Sequence, residues 1–186
     1  STDFRLSGVP HGEGGKPWSR ANGVDKRVRG GWLCDEMGMG KTAVCAALVL
    51  AAKARSRPAP SGRTVVLVNN SLVGQWVDEL KKFAPSLSVA RFYGSKQRVY
   101  PGFTDVVVTT PGMQPDEVIA KFARRLIVDE SHLYEKKAEP KQPSTKIHRY
   151  YQKVDFIWCV TGTPMSTHLN QLEQQARMLG HWDSGV

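Results

Sequence analysis

The sequence predicts an α/β domain: a doubly wound parallel sheet with helices on both faces. Three observations predict it. From Gly30 onward, apolar β-branched runs alternate with helical ones. Several of those runs, such as Val65-Val-Leu-Val68 and Val106-Val-Val108, are apolar without alternation, as strands covered on both faces are. A glycine-rich turn links the first run to the first helix, the order a phosphate-binding loop needs. The 186 residues suit one domain with a real core. Residues 1–29 stand apart: they are rich in Gly, Pro and charge, and His11-Gly-Glu-Gly-Gly-Lys-Pro17 is loop chemistry. They read as an irregular, insertion-like segment ahead of a domain spanning 30–186.

The elements follow in order. Strands are expected at Gly31–Cys34, Thr64–Asn69, Ser88–Tyr93, Asp105–Thr109, Arg125–Asp129 and Phe156–Thr161. Helices are expected at Lys41–Ala54, Leu72–Phe83, Met113–Phe122, Thr145–Gln152 and Thr167–Leu179. Arg55–Gly62, with its Pro, Ser and Gly, connects the first helix to the second strand, and Lys136–Thr145 is a second irregular stretch. Ligands of such a sheet bind at the carboxyl ends of the strands.

Charge and cysteine usage narrow the function. A formal net charge of +9 favours an acidic partner, nucleic acid first, against the plainer reading of a basic surface kept for solubility. No run approaches the ~20 apolar residues of a membrane span. The longest, Val44–Ala52, lies between Lys41 and Lys53 and reads as a buried helix. Cys34, Cys45 and Cys159 are odd in number, lack metal-like spacing and sit in apolar contexts, so buried thiols in a reducing compartment are expected. The chain opens on Ser1 with no secretory pattern ahead of the fold, and is expected to be a piece of something longer.

Chemistry concentrates at three strand ends. After Gly31–Cys34 comes Asp35-Glu-Met-Gly-Met-Gly-Lys41-Thr42. Gly38, Met39 and Gly40 form a turn whose N–H groups can point at a triphosphate, helped by the positive end of the following helix. Lys41 would reach the β- and γ-phosphates and Thr42 would ligate Mg²⁺. Asp35 stands where the general pattern has a first glycine. The second end is Leu126-Ile-Val-Asp129-Glu130-Ser-His132. Asp129 is placed to hold Mg²⁺ and Glu130 to act on the attacking water, since successive side chains at a strand end diverge. His132 either links the nucleotide site to a later motif or bonds locally. The third end is Thr161-Gly-Thr163-Pro164. Its hydroxyls could bond Glu130 or His132 and report the γ-phosphate; otherwise it is a Gly-Pro turn before a helix capped by Ser166 or Thr167.

Together these motifs resemble the Swi/Snf-type ATPases of helicase superfamily 2. Asp35–Thr42 resembles their D-E-M-G-L-G-K-T loop, which accounts for Asp35. Val65–Leu80 resembles the next motif, a strand, Ser-Leu, then Q-W-x-x-E at Gln75, Trp76 and Glu79. Asp105–Thr110 resembles the following strand. Asp129-Glu-Ser-His132 is a variant of the D-E-A-H box with Ser131 for Ala, and Thr161–Pro164 resembles L-T-G-T-P. The resemblance runs from about Gly30 to Leu179.

It implies the first of two RecA-like lobes of a P-loop ATPase that translocates on double-stranded DNA, with ATP and Mg²⁺ as cofactors. By it, Lys41, Asp129 and Glu130 carry hydrolysis. Ser71, Leu72, Thr109 and Thr110 would face a nucleic-acid backbone, where contacts ignore sequence. His132, Thr161 and Thr163 would couple the two sites. Trp76, at helical spacing with Leu72, Val73 and Leu80, reads chiefly as core. Lys136, Lys137, Lys141, Lys146 and Arg149 either track DNA or form a solvated loop. The family's adenine-reading glutamine motif has no counterpart before Gln75, so residues 1–29 resemble an insertion of the kind carried by Rad-type repair translocases. The second lobe would supply arginines, so this chain alone is expected to turn over slowly. A strand-separating DNA or RNA helicase lobe, or a non-enzymatic scaffold, are the alternatives. Cargo stays open among nucleosomes, repair factors and transcription machinery. The location implied is nuclear, or cytoplasmic for a viral or bacterial relative.

Overall fold

The computed structural model describes residues 29–55, 63–94, 103–113, 119, 122–134, 150 and 153–179. Six strands form one sheet: β1 (Gly30–Leu33), β2 (Thr64–Leu67), β3 (Val89–Phe92), β4 (Val106–Thr109), β5 (Arg125–Asp129) and β6 (Phe156–Val160). Their order is β1-β6-β5-β2-β4-β3, and every pairing is parallel. Three helices are described: α1 (Lys41–Arg55), α2 (Val73–Phe83) and α3 (Asn170–Met178).

The unbroken apolar runs explain the layering. Alternate residues of one strand point to opposite faces. Val66 and Val68 join Val106, Val108 and Ile127 under Cys45, Ala46 and Val49 of α1 and Val73, Trp76 and Leu80 of α2. Val65 and Leu67 join Val107, Leu126, Val128 and Ile157 against Ile119, Phe122, Tyr150, Met178 and Leu179. Strands β2, β4 and β5 are buried along their whole length, as a sheet covered on both sides requires.

The strand order builds the site. Strands β1, β6 and β5 are neighbours, so the segments leaving their carboxyl ends are neighbours too. Those segments are the glycine-rich loop, Thr161–Pro164 and Glu130–His132.

Boundaries differ slightly from expectation. Most strands are trimmed at one or both ends, and β1 is set one residue earlier, while β5 spans the expected residues. A 3-10 turn, Asn70–Leu72, precedes α2. Helix α3 begins at Asn170 instead of Thr167, and neither Ser166 nor Thr167 caps it. Instead the Gln171 side chain reaches back, its Oε1 accepting the backbone N–H groups of Ser166 at 2.7 Å and Thr167 at 3.3 Å. Cys34 is exposed, against expectation, because β1 ends one residue before it on the way into the loop; Cys45 and Cys159 are buried. Most of the helices expected at Met113–Phe122 and Thr145–Gln152, the whole basic stretch Lys136–Arg149 and residues 1–28 lie outside the described residues.

Candidate nucleotide site

The loop between β1 and α1 takes its shape from two left-handed glycines. Gly38 has φ +82° and Gly40 φ +78°, a region where an L side chain costs roughly 1–2 kcal/mol. The Gly40 carbonyl accepts the N–H groups of Ala43 and Val44, closing the first turn of α1. Met39 donates its N–H to the Glu36 carbonyl at 3.3 Å, so that group is used inside the loop. Lys41 Nζ donates to the carbonyls of Asp35 and Glu36, both at 2.9 Å, which arches the lysine back over the loop.

A cleft of about 440 Å³ opens beside this loop. Gly38, Gly40, Lys41 and Thr42 line one side, Leu72 and the α2 residues Gln75, Trp76 and Glu79 line another, and Asp129 and Glu130 complete it. Met37 lines the cleft where Met39 was expected. The Thr161–Pro164 turn closes in on the loop: a Cβ built on Gly162 would lie 3.1 Å from Met37 Cγ and 3.6 Å from Lys41 Nζ.

The two carboxylates share the cleft through a backbone device that the sequence did not reveal. Strand geometry would send successive side chains to opposite faces. Instead β5 stops at Asp129, and Glu130 is left-handed at φ 47°, ψ 48°. A non-glycine residue there is strained, by about 1–3 kcal/mol. Asp129 is buried; Trp76 Nε1 donates to its Oδ2 at 2.7 Å, and the Glu130 N–H donates to its Oδ1 at 3.0 Å. Burial raises the Asp129 pKa above the ordinary carboxylate value, and the Glu130 charge adds to that rise. The bonds from Trp76 and Glu130 and the charge of Lys41 oppose it.

Thr161 joins the acidic motif to the turn after β6. Its hydroxyl donates to Glu130 Oε2 at 3.1 Å and accepts the Thr163 N–H at 3.0 Å. His132 Nδ1 lies 2.7 Å from the same oxygen and 3.4 Å from Glu130 Oε2. A hydroxyl has one proton; with that proton donated to the Glu130 carboxylate, the hydrogen between His132 and Thr161 must come from His132 Nδ1. His132 thus sits between the acidic motif and the turn after β6.

Sequence reasoning missed Gln175. This α3 side chain has no exposed surface. Its Oε1 accepts from Ser131 Oγ at 2.8 Å and Trp32 Nε1 at 3.2 Å, and its Nε2 donates to the carbonyls of Pro164 at 2.8 Å and Gln171 at 3.0 Å. The signal was present: Gln171, Gln175 and Met178 repeat at helical spacing on the buried face. The serine that departs from the D-E-A-H box thus has a dedicated partner.

The expected nucleic-acid residues divide. Ser71 is exposed and Leu72 is a wall of the cleft. Thr109 and Thr110 are 0% and 2% exposed, so their hydroxyls do not stand at the surface where a phosphate contact was expected. Strand β4 is interior to the sheet, and the 3-10 turn Pro111–Met113 folds back on Thr110, whose carbonyl accepts the Met113 N–H.

The oxygen donors suit Mg²⁺. The Thr42 hydroxyl and the Asp129 carboxylate are hard ligands, and each Asp129 oxygen keeps a lone pair beyond the bond it accepts. Mg²⁺ commonly takes one or two protein oxygens and completes its shell with phosphate and water. Among the described residues no group of three or more His, Cys, Asp or Glu offers a self-contained metal site.

Comparison with known proteins decides the family. A sequence profile of the SNF2-related domain matches residues 18–179. The chain belongs to the SNF2-related domain family. The human SWI/SNF-related matrix-associated actin-dependent regulator of chromatin subfamily A member 1 is 35% identical over 163 residues, covering 81% of this chain and 14% of that protein. The Schizosaccharomyces pombe ATP-dependent helicase fft1 is 31% identical over 155 residues, covering 76% of this chain and 16% of that one. A Sulfolobus solfataricus SWI2/SNF2 ATPase core solved with double-stranded DNA superposes with a TM-score of 0.63 at 25% identity, covering 83% of this chain and 31% of that one. The chain thus spans a small part of each relative, and the superposition fits a single RecA-like lobe.

Proposed function

We propose that this SNF2-related chain is the ATP-binding lobe of a DNA-dependent ATPase that moves along double-stranded DNA. One observation carries the reading: Lys41, Thr42, Asp129 and Glu130 line a single cleft, with Thr161 bonded to Glu130 at its edge. A scaffold has no chemical need for this set. The relatives named for ATP-dependent helicase activity and for chromatin regulation, and the archaeal core solved with duplex DNA, support the same reading.

Each residue has a role in it. The loop N–H groups left free by the Gly38–Gly40 turn, with the first turn of α1, cradle the phosphates. Lys41 exchanges a loop carbonyl for a phosphate oxygen. Thr42 and Asp129 hold Mg²⁺, which when bound neutralises charge on the phosphate oxygens. Glu130 orients and accepts a proton from the attacking water, its carboxylate steadied by the Thr161 hydroxyl. The Glu130–Thr161–His132 chain ties that carboxylate to the turn after β6, so a change at the γ-phosphate reaches Thr163. On the nucleic-acid side, the exposed Ser71 and the adjacent Leu72 are assigned to grip the DNA backbone. A second RecA-like lobe supplies the arginines that complete hydrolysis, and its substrate is chromatin or a repair complex. The protein acts where duplex DNA is held, in the nucleus of a eukaryote or the cytoplasm of a bacterium.

Titration of the chain with ATP and Mg²⁺, beside Lys41→Ala, tests this. Saturable binding that Lys41→Ala weakens by roughly 10- to 100-fold, the worth of a lost hydrogen bond to a charged group, is expected. Equal binding by both proteins, or none by either, would refute it.

A further inference from the structure

Trp76 has a role beyond the core. It is 4% exposed and packs under α2 with Val73 and Leu80, a place any large apolar side chain could fill. Unlike a phenylalanine or leucine there, it brings an N–H that needs a partner when buried. The partner is Asp129 Oδ2, at 2.7 Å. With the Glu130 N–H on Oδ1, both oxygens of this carboxylate are held, one from α2 and one from the end of β5. Two fixed points on one planar group set its rotation, and with it the direction of the lone pairs that remain.

We propose that Trp76 is a positioning residue for the divalent ion, its indole N–H fixing the plane in which Asp129 presents its remaining lone pairs to Mg²⁺ or to Mg²⁺-bound water. The inference rests on the reading of Asp129 as the metal-holding carboxylate. Outer-shell hydrogen bonds of this kind orient metal ligands, and losing one typically costs about 10- to 100-fold in metal affinity. Trp76 also lines the cleft between Gln75 and Glu79, whose side chains bond each other at 2.9 Å along α2, so the indole is carried on a stiffened turn of helix.

ADP binding to the chain, followed by calorimetry across a series of Mg²⁺ concentrations, tests the proposal with three proteins. Trp76→Phe keeps an aromatic ring and loses the N–H. Leu80→Ala damages the same helix core and leaves the bond to Asp129 in place. Trp76→Phe is expected to need about tenfold more Mg²⁺ for half-maximal binding, a larger change than any in its Mg²⁺-free ADP affinity. Leu80→Ala is expected to lower the melting temperature and leave the Mg²⁺ midpoint where it was. A Trp76→Phe midpoint within about twofold of wild type, or an equal shift in Leu80→Ala, overturns the proposal while leaving the ATP reading intact. Wild-type protein that shows no Mg²⁺-dependent binding removes both. Should Trp76→Phe fail to fold, the wild-type indole N–H resonance of Trp76 gives a second readout. It is expected to shift when Mg²⁺ is added to the ADP complex, and a resonance that stays in place overturns the proposal.

Discussion

Glu130 carries a conflict between local backbone preference and chemistry. Its left-handed backbone suits glycine, yet its carboxylate is the group proposed to act on water. Two substitutions separate the two demands. Glu130→Ala and Glu130→Gly both remove the carboxylate and its bond from Thr161. They differ in that glycine relieves the left-handed strain, while giving back part of the gain as chain entropy. Denaturant unfolding is expected to find Glu130→Gly more stable than Glu130→Ala by about 1 kcal/mol, with both inactive in hydrolysis. A glycine variant no more stable than the alanine one would show that the backbone relaxes once the side chain is gone. At the loop, Gly38→Ala and Gly40→Ala meet no atom within 4 Å. Their cost is therefore conformational alone, about 1–2 kcal/mol each. It is expected to appear as weaker nucleotide binding, since the loop can escape the strain by abandoning its phosphate-ready shape.

At the scale of elements, the sequence was most readable where one physical rule acted alone. The runs around Val65 and Val106 could only be strands buried on both faces, and β5 was delimited to the residue because an apolar run ends there in two carboxylates. It was least readable where a side chain competed with the backbone. Helix α3 starts late because Gln171 takes up the N–H groups of Ser166 and Thr167, and glutamine in that role leaves no capping signature like that of serine or aspartate. The burial of Thr109 and Thr110 depends on a turn that folds over a strand end, which no periodicity records. Strand order, which brings β1, β6 and β5 side by side, is set by contacts far apart in the chain, which no local pattern records. The buried Gln175 gives this scale its prediction, because it fastens α3 to Ser131, Trp32 and Pro164. Gln175→Leu alone leaves the buried Ser131 hydroxyl and the part-buried Trp32 N–H and Pro164 carbonyl without this partner and is expected to cost about 2–4 kcal/mol. Ser131→Ala alone removes the bond to Gln175 and is expected to cost about 1 kcal/mol. In the double variant, the Ser131 donor is no longer there to be stranded, so the measured cost is expected to fall below the sum by about 1 kcal/mol. Strict additivity in urea unfolding would mean that the two side chains do not depend on each other.

Over the whole molecule, the thiols report on the core. Cys45 lies on the buried side of α1 and Cys159 on β6, on opposite faces of the sheet. Burial pushes both up from the ordinary thiol value of 9.0 to about 12; Asp129 adds to the rise at Cys45, while the bond from Ser131 partly offsets it at Cys159. The folded state therefore holds these protons more tightly than the unfolded chain does. Below pH 9.0 both states are protonated and the contribution to stability is fully present. As pH rises above that, the unfolded chain releases the protons while the folded protein keeps them, so stability falls, by about 1.4 kcal/mol per pH unit for each thiol, until the folded thiols ionise. Tyr134, raised by burial and by the charges of Asp129 and Glu130, acts in the same direction at higher pH. Unfolding free energies measured from about pH 8 to about pH 11 on wild type and on the Cys45→Ala, Cys159→Ala double variant separate these contributions. The double variant starts lower, because two small cavities replace the sulfurs, but it is expected to lose stability more slowly with pH, by about 2.7 kcal/mol per unit. Parallel curves would mean that water reaches both thiols in the folded protein, and that the two faces of the sheet are not sealed. The exposed Cys34 gives an independent check, since it alone of the three is expected to react with iodoacetamide in the native protein. Its own raised pKa, set first by partial burial and then by Asp35, means that labelling accelerates only at a pH above that of a free thiol. Cys45 and Cys159 are expected to follow only as fast as the sheet itself opens.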